Sequence, residues 1–156
     1  MISNKVIIDF DNHKPQIADN VFIAPNSTII GDVKIAKDCS VFFNSVLRGD
    51  ILPIIIGKET NIQEHAMSHT SHGRAPAQIG SEVTIGHRAI IHGASVGNRC
   101  LIGMGSIILD EAKIGDESIV GAGTVVTEGK TFPPRSLILG TPGKVVRALS
   151  LSLIHI

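Results

Sequence analysis

The sequence predicts an all-β fold, a parallel solenoid in which each six-residue unit makes one short strand and one corner, and three units make one coil. Three observations predict it. Small aliphatic residues recur every six positions, in an unbroken series at Ile17, Ile23, Ile29, Ile35, Val41 and Leu47 and another at Val96, Ile102, Ile108, Ile114, Val120 and Val126. Shorter series lie between them, at Ile56, Ile62 and Ser68 and at Ile79, Ile85 and Ile91. A helix repeats near 3.6 and an amphipathic strand at 2, so a sustained period of six fits neither. The second observation is an aliphatic residue followed by glycine at regular intervals, as at Ile56 and Gly57, Ile79 and Gly80, Val96 and Gly97, and Ile114 and Gly115. These pairs mark strand-to-corner junctions, where glycine meets demands for positive φ. The third is composition: 16 Gly, no Trp and no Tyr suit a narrow interior of stacked aliphatic side chains.

The 156 residues predict a single domain. Residues 1–16 read as an irregular opening strand and turn, punctuated by Asp9, Asp11, Asn12 and Pro15. Residues 17–126 carry the coils, with parallel strands ~4.8 Å apart. Residues 127–150 form a C-terminal extension. Pro133, Pro134 and Pro142 end the repeat there, and Thr141 as N-cap with Pro142 behind it predicts a short helix. The apolar tail 151–156 lacks a pattern and reads as truncated or non-native.

Composition excludes several function classes. Lys+Arg and Asp+Glu balance at 14 each, with no basic run, which argues against nucleic acid or an anionic membrane as partner. No stretch is long enough to span a bilayer, and no signal peptide is recognisable. Cys39 and Cys100 are far apart and lack metal or redox spacing. They read as reduced core residues of a cytoplasmic protein.

The breaks in the period are where chemistry is expected. Leu47 to Ile56 spans nine residues and holds Arg48, Gly49 and Asp50; Ser68 to Ile79 spans eleven and holds His69, His72, Gly73 and Pro76. We expect 70–78 to leave the coil as a loop, since insertions at a solenoid corner cost little and such loops carry function. A one-residue slip falls beside His92. His69, His87 and His92 are candidate metal ligands, because three imidazoles with one open position make a catalytic site. The ordinary role of each taken singly is a hydrogen-bonded strand histidine. Arg48 and Asp50 read as an ion pair, either on the surface or beside the site. Asn61, Gln63, Glu64 and His65 are corner residues that could orient ligands and water.

Taken together, "SVLRGD", "GKETNIQEHAMSH" and "IGHRAIIHG", in that order on a six-residue repeat, resemble the γ-class carbonic anhydrases and their relatives over roughly residues 10–147. The resemblance implies a left-handed parallel β-helix. It also implies a homotrimer whose metal sites lie between subunits, with His69 and His92 from one chain and His87 from its neighbour. The metal would be Zn2+, with Fe2+ or Co2+ as alternatives, and the activity reversible hydration of CO2 to bicarbonate by a metal-bound hydroxide. Arg48 and Asp50 match the family's inter-subunit ion pair, Gln63 the residue that hydrogen-bonds the bound water, and Asn61 and Glu64 the polar residues flanking it.

Three departures bear on turnover. Ile51 stands where the family's archetype has a glutamate. The acidic loop bearing the archetype's proton shuttle is shorter, and His72 takes the shuttle's place after His69. The chain lacks the tyrosine that relatives carry near the site. Two other functions fit the same repeat: a metal-binding trimer with little anhydrase activity and an accessory role, and an acyltransferase using histidine as base on acyl-CoA.

Overall fold

A computed structural model describes residues 6–150. They form a β-solenoid with three faces, and no helix occurs among them. The first face stacks Val6–Ile8, the start of Thr28–Ile35, the start of Val46–Ile56, then Met67–His69, Ile90–His92, Ile107–Ile108 and Val125–Val126. The second stacks Gln16–Ile17, the ends of the same two long strands, Ala77–Ile79, Ser95–Val96, Lys113–Ile114 and Thr131–Phe132. The long strands join these two faces into one twelve-stranded sheet. The third face is the separate eight-stranded sheet, which runs from Phe22–Ile23 up to Ser136–Leu139 and Lys144–Ala148. Every pairing within the coils is parallel, and the register shifts only between Thr28–Ile35 and Val46–Ile56.

The six-residue series points inward. Ile29, Val41, Leu47, Ile62, Ile85, Ile91, Ile102, Ile108, Val120 and Val126 are all essentially inaccessible and belong to one continuous core cluster. Each such side chain removed from water contributes ~1.5–3 kcal/mol, so the column of equivalents is what holds one coil on the next. Cys39 and Cys100 are buried, unpaired and set at equivalent corners, as free core thiols.

The corners work differently from expectation. The left-handed residue is mostly not glycine: Asn26, Asp38, Asn44, Glu59, His65, Glu82, Arg88, Arg99 and Glu117 all take φ between 52° and 64°. The junction glycines serve close approach instead. A Cβ on Gly57 would stand 2.6 Å from the backbone of Gly80, closer than real atoms come.

The C-terminal extension also departs from expectation. Residues around Thr141 and Pro142 form a turn, and Lys144–Ala148 is a strand antiparallel to Ser136–Leu139, not a helix. Val145 and Val146 are β-branched and suit a strand, and the segment is too short for a helix to nucleate alone. The apolar tail 151–156 lies outside the described residues.

Candidate metal centre

All three irregularities of the period stack at one corner, between the first and second faces. At the first, Gly31 pairs with Gly49 and Val33 with Ile54, so Asp50, Ile51, Leu52 and Pro53 bulge opposite Asp32 alone. The loop expected over 70–78 leaves the coil after Met67–His69 but is two residues shorter, because Ala77 and Gln78 already pair in the strand Ala77–Ile79. The backbone N–H of Leu52 donates to Thr70 Oγ1 at 3.1 Å and ties the two insertions together. The slip lies one coil higher, where His92 is followed directly by Gly93.

His69 and His92 are register partners on adjacent parallel strands. Their rings meet edge to face with centroids 5.2 Å apart. His69 Nδ1 faces His92 Nε2 at 3.2 Å. The other nitrogen of each ring engages a carboxylate: His69 Nε2 lies 3.0 Å from Asp50 Oδ1, and His92 Nδ1 lies 3.0 Å from Asp110 Oδ2. Carboxylates accept and do not donate, so both outer nitrogens carry the proton. Arg48 Nη2, which can only donate, stands 3.3 Å from His69 Nδ1 and marks that atom independently as an acceptor. Two lone pairs therefore face each other.

That arrangement fits a metal. Two nitrogens bound to one tetrahedral ion at ~2.0–2.1 Å stand about 3.3 Å apart, close to the separation seen here. A metal-bound imidazole ordinarily donates its remaining N–H to a carboxylate, as both rings do. Burial pushes the His69 pKa below its ordinary 6.5, opposed by its bond to Asp50 and reinforced by Arg48 and His92. The downward shift favours the neutral ring, the form that a metal requires. Burial alone would raise the Asp50 carboxyl, but hydrogen bonds from Arg48 and His69 outweigh it and hold the pKa below 3.8.

The remaining predicted residues are divided. Arg48 and Asp50 form an ion pair within one chain, beside His69. His72 is exposed on the 70–76 loop. His87 is not with the other two histidines: it sits at the corner between the third and first faces, where its carbonyl accepts from Gly105 N–H. Its ring is 47% exposed, with Nδ1 2.8 Å from Glu64 Oε2. Gln63 and Glu64 lie one coil below on that same corner, and Asn61 donates from Nδ2 to Ser40 Oγ on the third face. Among the described residues, no three His, Cys, Asp or Glu side chains converge as a metal site within one chain.

Sequence reasoning missed Asp110 and Ser71. Asp110 lies inside an unbroken stretch of the repeat, so no irregularity draws attention to it. Its one signal is its place eighteen residues, one full coil, after His92.

Comparison with known proteins agrees with the motifs. The family model described as bacterial transferase hexapeptide (six repeats) matches residues 93–128. A carbonic anhydrase of Geobacillus kaustophilus is 48% identical over 145 residues, covering 93% of this chain and 79% of that protein. The chain belongs to the γ-class carbonic anhydrase-like hexapeptide-repeat family. The mitochondrial gamma carbonic anhydrase 2 of Arabidopsis thaliana is 34% identical over 94% of this chain, which spans 55% of that longer protein. A solved Bacillus cereus structure, described as a candidate acetyltransferase, superposes with a TM-score of 0.95 at 43% identity, covering 97% of this chain and 88% of that one. The backbone is thus shared across two assigned chemistries, and the side chains have to decide between them.

Proposed function

We propose that this protein is a metal-dependent carbonic anhydrase that hydrates CO2 reversibly at sites shared between the subunits of a homotrimer. The observation that supports it is the pair of facing nitrogens of His69 and His92, each ring backed at its other nitrogen by an aspartate. His87, from the opposite corner of a neighbouring subunit, supplies the third nitrogen. Its Nδ1 is held by Glu64, which leaves Nε2 for the incoming site. Exposed Phe43, Met67 and Met104 give this part of the surface apolar area to bury against a neighbour. Arg48 pairs with Asp50 of its own chain, and its part-exposed guanidinium is available to a neighbour's carboxylate as well.

His69, His92 and the neighbour's His87 would hold a divalent ion, which would supply a water acidified toward a pKa of ~7 and so a nucleophile at neutral pH. Zn2+ suits three imidazoles, and Fe2+ and Co2+ accept the same donors. The chain does the rest. Asp50 and Asp110 fix the direction of the two imidazole lone pairs. Gln63, arriving beside His87 from the neighbour, orients the attacking oxygen through its amide. Asn61 and Glu64 hold that corner in place. His72, exposed on the loop, takes the proton released by each turnover to solvent. The two free, buried thiols suit a reducing compartment, so we place the protein in the cytoplasm. The whole described chain acts as one domain.

Acyl transfer is the second reading, favoured by the likeness to the Bacillus cereus structure. A histidine acting as general base needs one such ring, whereas here two are paired and both are backed by carboxylates.

Stopped-flow CO2 hydration on protein reconstituted separately with Zn2+ and Fe2+ tests the proposal. Turnover above the metal-free control, lost in His92→Ala together with the bound metal, is expected. Stoichiometric metal without turnover would favour the accessory trimer, and acetyl-CoA binding without metal the acyltransferase.

A further inference from the structure

We propose that Asp110 is a positioning residue that fixes His92 as its Nδ1–H tautomer and so aims the Nε2 lone pair at His69. Asp110 belongs to the coil above His92, as Asp50 belongs to the coil below His69. Its side chain is only 9% exposed. Oδ2 accepts twice, from His92 Nδ1–H at 3.0 Å and from Ser71 Oγ–H at 3.2 Å. Oδ1 is buried without a partner among the described residues. A buried carboxylate oxygen without a donor is costly, and it persists where another contact of the same group requires that geometry. Here the bond to His92 is that contact.

The neighbouring backbone is shaped around this carboxylate. A Cβ on Gly93 would lie 2.2 Å from Asp110 Oδ1, and Gly93 sits at φ +54°. Glycine directly after His92 is thus what admits the carboxylate. Ser71 lies on the inserted loop, whose Arg74 also stands 3.4 Å from Glu111 and 3.7 Å from Glu128. The loop is thereby fastened to the coils above, and Asp110 is held between loop and ligand. Without Asp110, His92 is free to place its proton on Nε2, which would close that atom to a metal.

The tautomer can be read without metal or turnover. Long-range 1H–15N spectra of metal-stripped protein labelled at the histidine ring nitrogens should show His92 protonated at Nδ1. Asp110→Ala should release it to the Nε2–H form, and Asp110→Asn, whose amide oxygen still accepts, should retain the Nδ1–H form in part. Gly93→Ala, which displaces an intact Asp110, should reproduce the loss. A wild-type His92 already protonated at Nε2, or one indifferent to Asp110→Ala, would overturn the assignment. The wild-type spectrum decides by itself should the variants not fold. This inference rests on the proposed site for its second readout only: Co2+ titration should show about 10- to 100-fold weaker binding in Asp110→Ala. The predicted tautomer without Co2+ binding would sink the metal reading and leave the positioning role standing. Co2+ binding with the tautomer indifferent to Asp110 would do the reverse.

Discussion

His69 Nδ1 and His92 Nε2 face each other across 3.2 Å, each ring with an aspartate at its other nitrogen, an arrangement that turns two lone pairs toward one another. Such a contact is repulsive unless a cation sits in it, and the two aspartates behind the rings prevent either histidine from turning away. The site is in this sense half built within one chain, and the other half lies on a different corner.

Subunit mixing tests that division. His87→Ala and His92→Ala should each abolish turnover as homotrimers. Refolded together, they should regain part of it, because some interfaces then pair an intact His69 and His92 with an intact His87. A site contained in one chain would give no recovery, so stopped-flow rates of the mixture against the separate variants decide.

His72→Ala should lower kcat in weak buffer and leave it nearly unchanged in strong buffer, where buffer molecules remove the proton instead. Metal content should not change. Equal loss in both buffers would assign His72 a structural role.

Cys100 makes a prediction about alkaline stability. Burial pushes its thiol from an ordinary 9.0 up to about 11. The folded chain thus favours the protonated thiol. The resulting stabilisation is complete below pH 9 and disappears as pH rises through about 11, a difference of roughly 2–3 kcal/mol. Denaturation of wild type and Cys100→Ala from pH 8 to 11 should show the wild-type advantage shrinking by that amount. A pH-independent difference would contradict it.

Ser68 occupies an inward position filled by Leu47 below and Ile91 above, and its buried hydroxyl has no partner among the described residues. An unpaired buried hydroxyl costs ~1–3 kcal/mol, so Ser68→Ala should match or exceed wild-type stability in urea. A loss above about 1 kcal/mol would mean that the hydroxyl is bonded.

The two parts of the chemistry were unequally legible. Arg48, Asp50, His69 and His92 stand at or beside breaks in the six-residue period, and a break in a strict repeat is visible in one dimension. Asp110 and Ser71 were not legible as site residues, since a carboxylate one coil away interrupts nothing. The segment expected as a helix after Thr141 is a strand because Val145 and Arg147 pair with Ile138 and Leu137, a long-range contact that local helix-start signals do not register.

By itself, the sequence determined the solenoid, its coil length and its inward column, because a period of six leaves the chain one way to bury its aliphatic residues. Only the tertiary structure decided which corner each insertion occupies, that the two long gaps and the short one fall on the same edge, and that His87 lies on another. Those facts depend on how many residues each coil takes to close, and closure is set by contacts between coils rather than by any local run of the chain.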